Sequence, residues 1–168
     1  DSFAYSKRKQ IKKINNELHL YEQMSASEFY DHFNNYNVSR KQKSNFSKTF
    51  FLQLYNECHN RNQGKIIAVK DNISNIHAAI FVVWDKQRAY NLISTIHPQF
   101  KSSGGSTLVV FEAIKLMAGK VNYFDFEGSM DKNIENSFSN FGTEQIPYFK
   151  ITKKPSFIFK ILYKLWKK

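Results

Sequence analysis

The sequence is poor in cysteine and in long apolar runs. Its 168 residues include a single cysteine, Cys58, which excludes a disulfide framework, and no Cys/His spacing typical of a zinc site occurs. No run of about 18 apolar residues is present, so we expect no membrane-spanning helix. Cys58 is interpreted as a small buried hydrophobe on a helix.

Acidic residues are scarce at both ends of the chain, whose formal net charge is +11. Residues 7–13 (KRKQIKK) carry five basic groups and residues 150–168 carry seven lysines, with no acid in either stretch. The middle, residues 14–149, holds 13 basic and 13 acidic residues. The ends are either solvated basic tails or contacts for phosphates or an anionic membrane surface. The neutral middle argues against a general nucleic-acid-binding module.

The rest of the composition is that of one globular domain, with 42% hydrophobic residues and 16 Phe. We expect residues 7–20 to be partly helical. The spacing of Ser25 and Glu28 fits a capping box at the start of a helix that carries Phe29 and Phe33. Residues 37–47 are expected to form a loop, and a second helix is predicted from residue 48 to about residue 62.

The hydrophobic period changes after Gly64 from helical to extended. Residues 65–70, 76–84 and 89–96 predict an antiparallel meander, whose middle strand is apolar on both faces and therefore central. A Gly/Ser-rich loop and a buried helix follow. The last predicted elements are a strand at 121–127, a helix capped by Ser129 or Asp131 that runs to Phe141, and a strand at 145–151. A strand–helix–strand crossover pairs strands in parallel, so we expect a mixed sheet.

The Gly/Ser-rich loop is a candidate phosphate-binding site. Glycines let backbone N–H groups approach a phosphate closely, and the N-terminus of the following helix adds positive potential. A flexible turn capped by Ser106 is the alternative. The candidate residues are Lys101, Ser102, Ser103, Gly104, Gly105, Ser106 and Thr107.

The stretch FDFEGSM at 124–130 carries two carboxylates two residues apart. In a strand, Asp125 and Glu127 would share a face with their Cα atoms roughly 6.5 Å apart, and Phe124 and Phe126 would lie on the other face. Both carboxylates are candidate catalytic groups, and Glu127 is the leading general base because it lies at a strand end beside a glycine. Alternatively, both bind N–H groups of the following turn or pair with lysines. His77 and His97 are weaker candidates, expected in a strand and in a turn.

The chain resembles a known family in four stretches, namely SKRKQIKK at 6–13, GKIIAVKDNISNIHAAIFVVW at 64–84, YNLISTIHPQFKSSGGSTLVVFEAIKLM at 90–117 and FDFEGSM at 124–130. It is similar to the GNAT-like domain of Fem-type peptidoglycan-bridge aminoacyltransferases and of related cellulose-biosynthesis-type acetyltransferases. The resemblance implies an α+β GNAT fold, in which a mixed, mostly antiparallel sheet is flanked by helices. The expected divisions are a basic segment at 1–24, a GNAT-like domain at 25–152 and a basic amphipathic tail at 153–168.

The resemblance also implies an activity. Such a protein moves an acyl or aminoacyl group to an amine of a cell-envelope precursor or another small molecule, with acyl-CoA (acetyl-CoA) or aminoacyl-tRNA as donor and without a metal. The loop at 101–107 would hold the pyrophosphate of coenzyme A, and a backbone N–H within Leu92–Ile96 would stabilise the oxyanion. A non-catalytic half-domain that binds substrate or a partner domain is the alternative.

The resemblance finally implies partners and a location. Fem-type proteins usually contain two GNAT-like domains. We therefore expect this chain to be a fragment of a longer bacterial protein, without that protein's N-terminal GNAT-like domain. A cytoplasmic protein is expected, with tRNA bound through the basic segment in the aminoacyl case. The tail at 153–168 alternates aromatic and basic residues, which suits either a peripheral helix on the inner membrane face or a terminal helix packed on the domain.

Overall fold

The computed structural model describes residues 3–14, 16–128, 132–147, 149, 151–152, 163 and 166. Five helices are present in these residues: α1 Tyr5–Ile14, α2 Ala26–Ser39, α3 Lys48–Asn60, α4 Gly105–Met117 and α5 Lys132–Ser139. Five strands accompany them: β1 Leu18–Tyr21, β2 Gly64–Asp71, β3 Ile76–Trp84, β4 Arg88–Ile96 and β5 Tyr123–Asp125. A short 3₁₀ turn, Pro98–Phe100, follows β4.

The five strands form one sheet in the order β1-β2-β3-β4-β5. Strands β1 to β4 pair antiparallel, and β5 pairs parallel to β4 because the crossover through α4 returns the chain to the same end of the sheet. This confirms the predicted α+β fold with a mixed, mostly antiparallel sheet, the meander and the central position of β3.

Successive side chains of β3 point to opposite faces of the sheet, so the strand contributes to two hydrophobic cores, one on each face. Ala78, Ile80 and Val82 pack with α1 and α4 on one face. Ala79 and Phe81 pack with α2 and α3 on the other, where the stacked rings of Phe29 and Phe51 have centroids 5.4 Å apart. Full burial of an aromatic or aliphatic side chain typically contributes about 1.5–3 kcal/mol, so both layers hold the sheet in place.

The predicted start of α2 and the predicted burial of α4 are both confirmed. The Ser25 side chain accepts a hydrogen bond from Glu28 N at 3.2 Å, and the Glu28 carboxylate accepts one from Ser25 N at 2.8 Å, which completes the capping box of α2. Helix α4 is buried along most of its length, as its apolar sequence predicts. The predicted caps Ser129 and Asp131 of α5 lie outside the described residues.

The structure differs from the sequence-based expectations at three elements. Sequence analysis does not predict β1, a four-residue strand whose pairing with β2 depends on contacts about 50 residues apart. Helix α2 extends to Ser39, so residues 37–39 of the predicted loop are helical. The strand predicted at 145–151 is absent from its described residues, where the side chains of Ile146 and Phe149 are 71% and 92% exposed. Pro147 has no N–H to donate to a strand ladder.

Candidate functional site

Strands β4 and β5 separate at one end of the sheet. Their parallel pairing runs only from Arg88 and Tyr123 to Tyr90 and Asp125, while β4 continues to Ile96. Within the described part of the chain, the second half of β4 therefore pairs with β3 alone and leaves its other edge open. Leu92 is an extra residue in the register with β3, since Val82 faces Asn91 and Phe81 faces Ile93. Such a bulge twists the strand away from its neighbour.

Helix α4 follows β4 through the 3₁₀ turn and the Gly/Ser-rich loop. Its N-cap residue, Gly104, has φ +81° and makes no side-chain cap, and Ser103 Oγ accepts a hydrogen bond from Gly105 N at 3.1 Å. The positive end of the α4 dipole therefore lies at the end of this loop, where Gly105 packs against His77 of β3. Backbone N–H groups and positive potential in one place suit an anionic group.

The two glycines of the loop are enclosed by neighbouring elements. A Cβ atom at Gly104 would overlap Ile14 Cδ1 of α1, and one at Gly105 would come within 2.8 Å of His77 Cβ on β3. Both glycines are buried, so the backbone of the loop runs closely between α1 and the sheet. A side chain at either position would force the loop away from this path.

The seven loop residues divide by exposure. Lys101 and Ser102 are exposed, Ser103 and Ser106 are half-buried, and Thr107 is buried together with the two glycines. The Thr107 hydroxyl turns inward, where it accepts a hydrogen bond from Lys7 Nζ at 2.9 Å and donates one to Gln10 Oε1 at 3.3 Å. Lys101, Ser102, Ser103 and Ser106 therefore supply the accessible surface of the loop, and the Thr107 side chain anchors the loop to α1.

Asp125 is held by two hydrogen bonds at the end of β5. Its Oδ2 accepts from Arg88 Nη1 at 2.9 Å, and its Oδ1 accepts from Glu127 N at 2.8 Å. The hydrogen bond between Arg88 and Asp125 raises the pKa of the Arg88 guanidinium above its usual value. These contacts are those of the alternative interpretation, in which the carboxylate binds the following turn and a basic side chain.

Glu127 does not share a strand face with Asp125, so that expectation is wrong. Strand β5 ends at Asp125, and Glu127 lies beyond it with φ +63°. Its side chain is exposed, and its carboxylate makes no hydrogen bond or ion pair with any described residue. Phe124 and Phe126 do pack together, with centroids 5.4 Å apart. Of the two carboxylates, Glu127 is the one available to a substrate.

A cavity of about 280 Å³ opens beside the end of β4, on the face covered by α2. The polar side chains that line it are His32, Ser74, Asn75, His97 and Gln99. His32 was missed by sequence analysis, because a single histidine three residues after Phe29 on a helix carries no signal of its own. His97, weighed above for a turn, does cap the 3₁₀ turn by accepting from Gln99 N at 3.3 Å.

His32 is positioned by the strand beneath it. Its Nδ1 lies 3.0 Å from Thr95 Oγ1 and its Nε2 lies 3.4 Å from the Ile76 carbonyl oxygen. Burial lowers the pKa of His32, the Ile76 carbonyl partly opposes this, and the nearby His97 lowers it further. These effects favour the neutral form of the ring, and both of its nitrogens lie within hydrogen-bond distance of an oxygen of the protein.

His77 lies in the sheet, beneath the loop. Its Nε2 is 3.2 Å from Asp71 Oδ2 and its ring stacks on Phe100 with centroids 3.9 Å apart. Desolvation raises the pKa of Asp71, but hydrogen bonds from Asn75, His77 and Ile73 outweigh it and bring the pKa to about 2. Among the described residues, no group of three or more His, Cys, Asp and Glu side chains is arranged to hold a metal.

The mixed five-stranded sheet flanked by helices is the architecture of the GNAT fold. The family model of the acetyltransferase (GNAT) domain matches residues 6–133, and the chain belongs to this family. The family's reaction is transfer of an acyl group to an amine, with acetyl-CoA as the donor of its acetyltransferases. No curated protein matches the sequence.

Solved structures share the fold at low sequence identity. Glucosamine-6-phosphate N-acetyltransferase from Arabidopsis thaliana is 11% identical, with a TM-score of 0.57 over 81% of this chain and 99% of that one. A transcriptional regulator from Bacillus halodurans C-125 is 11% identical, with a TM-score of 0.64 over 81% and 99%. An aminoglycoside acetyltransferase from an uncultured soil metagenomic sample, in complex with trehalose, is 14% identical, with a TM-score of 0.60 over 84% and 99%.

Proposed function

We propose that this chain is an N-acyltransferase that moves an acyl group from acyl-CoA to a primary amine. The observation that carries the proposal is the separation of β4 from β5 after Tyr90, followed in the chain by the loop at the N-terminus of α4. An open strand edge can pair with an extended, amide-containing donor, and the helix N-terminus can bind the donor's diphosphate.

The loop supports this role through its exposed and half-buried residues. Lys101, Ser102, Ser103 and Ser106 would surround the diphosphate, with backbone N–H groups of the loop as donors and Lys101 as a charge partner. The thioester would then lie along the open half of β4, where an N–H within Leu92–Ile96 stabilises the oxyanion. Donors aimed in this way typically lower the barrier by about 3 kcal/mol.

Glu127 is the proposed proton acceptor. The amine nitrogen attacks the thioester carbonyl carbon, a C–N bond forms, the C–S bond breaks, and the thiolate leaves. Before the attack, the acceptor's ammonium loses one proton to the Glu127 carboxylate, which is exposed and unpaired among the described residues. The second proton that the nitrogen loses as the amide forms protonates the leaving thiolate, which departs as the thiol. Asp125 supports it from the side, because its Oδ1 fixes the backbone N–H of Glu127.

The acceptor is proposed to be an amine of a cell-envelope precursor or another small molecule, as the resemblance to Fem-type proteins suggests. Two structural neighbours are named as acetyltransferases of glucosamine-6-phosphate and of aminoglycosides, so amino sugars belong among the acceptors to be tested. The cavity lined by His32 and His97 lies beside the end of β4 and offers a polar surface for such a group. Aminoacyl-tRNA is the alternative donor.

The test is turnover of acetyl-CoA with a panel of amino sugars, amino acids and lipid-linked envelope precursors, followed by thiol release and by product mass. We expect thiol release and a product 42 Da heavier, the mass of an acetyl group replacing a hydrogen. Glu127→Gln should lower kcat by about 10²-fold or more, and Glu144→Gln, the same change at an exposed glutamate, should not. Turnover unchanged in Glu127→Gln would remove the base assignment. Absence of turnover in the full-length protein with acetyl-CoA and with aminoacyl-tRNA would leave the non-catalytic half-domain.

A further inference from the structure

Lys7 of α1 is a buried cation. Its residue surface is 9% exposed, and its ammonium donates hydrogen bonds to Thr107 Oγ1 at 2.9 Å and to Ser137 Oγ at 3.4 Å. The ammonium also lies 4.9 Å from the centroid of the Phe141 ring. All three partners are uncharged, so among the described residues the positive charge is solvated by two hydroxyls and one aromatic ring.

The charge of Lys7 has no counter-ion within the described residues. No carboxylate among them lies within ion-pair distance of Nζ. Thr107 is in the first turn of α4, where the helix dipole is itself positive, so the local potential opposes a cation. Burial accordingly lowers the pKa of Lys7. An uncompensated buried charge costs stability unless an anion joins it.

Helix α1 is fixed so that Lys7 stays beneath the loop. Ile11 and Ile14 are buried in the core next to α4. Ile14 fills the space beside Gly104, and Gln10 Oε1 accepts a hydrogen bond from Thr107. The same helix therefore contacts the loop at its N-cap glycine and at Thr107.

The other lysines of α1 are placed differently. Lys9, Lys12 and Lys13 are exposed, so water solvates them and salt screens them. A purely solubilising basic helix would have no reason to turn one of its lysines into the protein. Lys7 is the lysine of this helix whose burial needs an explanation.

We propose that Lys7 is a positioning residue for the acyl donor, whose diphosphate, bound over residues 101–106, supplies the counter-ion that the buried ammonium lacks. This rests on the proposed function of the loop. Without a nearby anion, the buried Lys7 ammonium lowers the stability of the protein. An anion bound above the first turn of α4 would offset this cost, and the offset would contribute to the free energy of donor binding. The 3′-phosphate of coenzyme A, on the ribose that also carries the diphosphate, is not involved.

The test compares Lys7→Met with Lys9→Met, two variants of equal charge. Binding of acetyl-CoA is measured by calorimetry at about 50 mM and 500 mM salt, and thermal unfolding is followed with and without donor. The affinity of Lys7→Met for acetyl-CoA should be lower than that of wild type by about tenfold or more at both salt concentrations, because a buried charge pair is little screened. Lys9→Met should change affinity less than about threefold, and only at low salt. Without donor, Lys7→Met should unfold at the same temperature as wild type or higher.

Three further measurements separate a positioning role from a structural one. Lys7→Gln keeps a donor for Thr107 without the charge, so it should lose the same affinity even where Lys7→Met folds poorly. Coenzyme A and its 3′-dephospho form should lose affinity equally in Lys7→Met. In turnover, KM for the donor should rise while kcat at saturating donor stays within about twofold.

Two outcomes would overturn the proposal. If Lys7→Gln and Lys7→Met bind acetyl-CoA as tightly as wild type does, the role of Lys7 is structural. The proposed function would be unaffected by this result. A loss confined to the 3′-phosphate form would assign Lys7 to another part of the donor. Failure of the wild-type protein itself to bind acetyl-CoA would refute the proposed donor site first, and the role of Lys7 with it.

Discussion

At the scale of single residues, the candidate site depends on contacts between parts of the chain that are far apart in sequence. Lys7 and Thr107 are 100 residues apart, and His32 and Thr95 are 63 apart. The sequence indicates the loop glycines and the two carboxylates, because their types and spacing carry the signal. It does not indicate Lys7 or His32, since each is an ordinary residue of its helix until the fold gives it a partner.

The two carboxylates show the same limit. Strand alternation predicts equivalent positions for Asp125 and Glu127, but the strand ends between them and the positive φ of Glu127 redirects its side chain. A strand end is set by where its neighbour stops pairing, and that depends on the rest of the sheet. The roles of the pair as catalytic groups stay predictions.

The half-buried His32 makes stability depend on pH. Its pKa in the folded protein is lowered from 6.5, mainly by burial. Between the folded value and 6.5 the unfolded chain binds more protons, so stability falls as the pH drops through this window and is unaffected above it. Thermal unfolding at pH 7.5 and 5.5 should show a smaller acid-induced drop in His32→Gln than in wild type.

The control for this prediction is His59→Gln, at an exposed histidine of α3. This variant should keep the acid-induced drop of the wild-type protein. Parallel unfolding profiles of wild type and His32→Gln would show that the ring contributes nothing to the pH dependence.

At the scale of elements, local signals succeed and pairing signals fail. The capping box, the helix that begins at residue 48 and the buried character of α4 depend on neighbouring residues, and all are confirmed. The short strand β1 and the strand predicted at 145–151 depend on which edge of the sheet is free, and the sequence does not encode that locally. Within the described residues, no helix is both long and apolar enough to cross a membrane.

The packing of α1 on the loop can be tested with two glycines of similar backbone conformation. Gly104 and Gly119 have φ of +81° and +76°, so alanine costs roughly 1–2 kcal/mol of backbone strain at each. A Cβ at Gly104 also overlaps Ile14, whereas one at Gly119 has no atom within 4 Å. Gly104→Ala should therefore lower the unfolding temperature more than Gly119→Ala and should weaken acetyl-CoA binding.

The readouts are thermal unfolding and donor affinity of the two variants. Gly119→Ala should bind the donor like wild type, since it lies at the far end of α4. Equal effects of the two variants on binding would contradict the enclosed path of the loop between α1 and β3.

At the scale of the whole molecule, the order of elements carries most of the fold. The meander, the buried crossover helix and the parallel return strand are all visible as changes of hydrophobic period, which explains why the GNAT fold could be predicted. The resemblance to Fem-type proteins is a finer statement and stays a proposal. The same holds for the expected domain limits, the partners and the missing N-terminal domain.

The charge distribution suggests a place for the protein. A net charge of +11 concentrated at the two ends attracts anionic surfaces. Most of residues 153–168 lie outside the described part of the chain, so the membrane contact is a prediction from sequence. Full-length protein should sediment with anionic vesicles at low salt, and a variant lacking 153–168 should not, while neither should bind neutral vesicles. Unchanged binding without the tail would refute the contact.

The central claim is that the loop beside the open edge of β4 holds the diphosphate of an acyl-CoA donor. Calorimetry of acetyl-CoA binding at about 50 mM and 500 mM salt tests it most directly. We predict saturable, one-to-one binding that survives the high salt, because backbone N–H groups and a buried cation are screened far less than surface lysines. Binding that is absent, or that disappears with salt, would mean that the surface charge alone attracts the donor, and it would contradict the account.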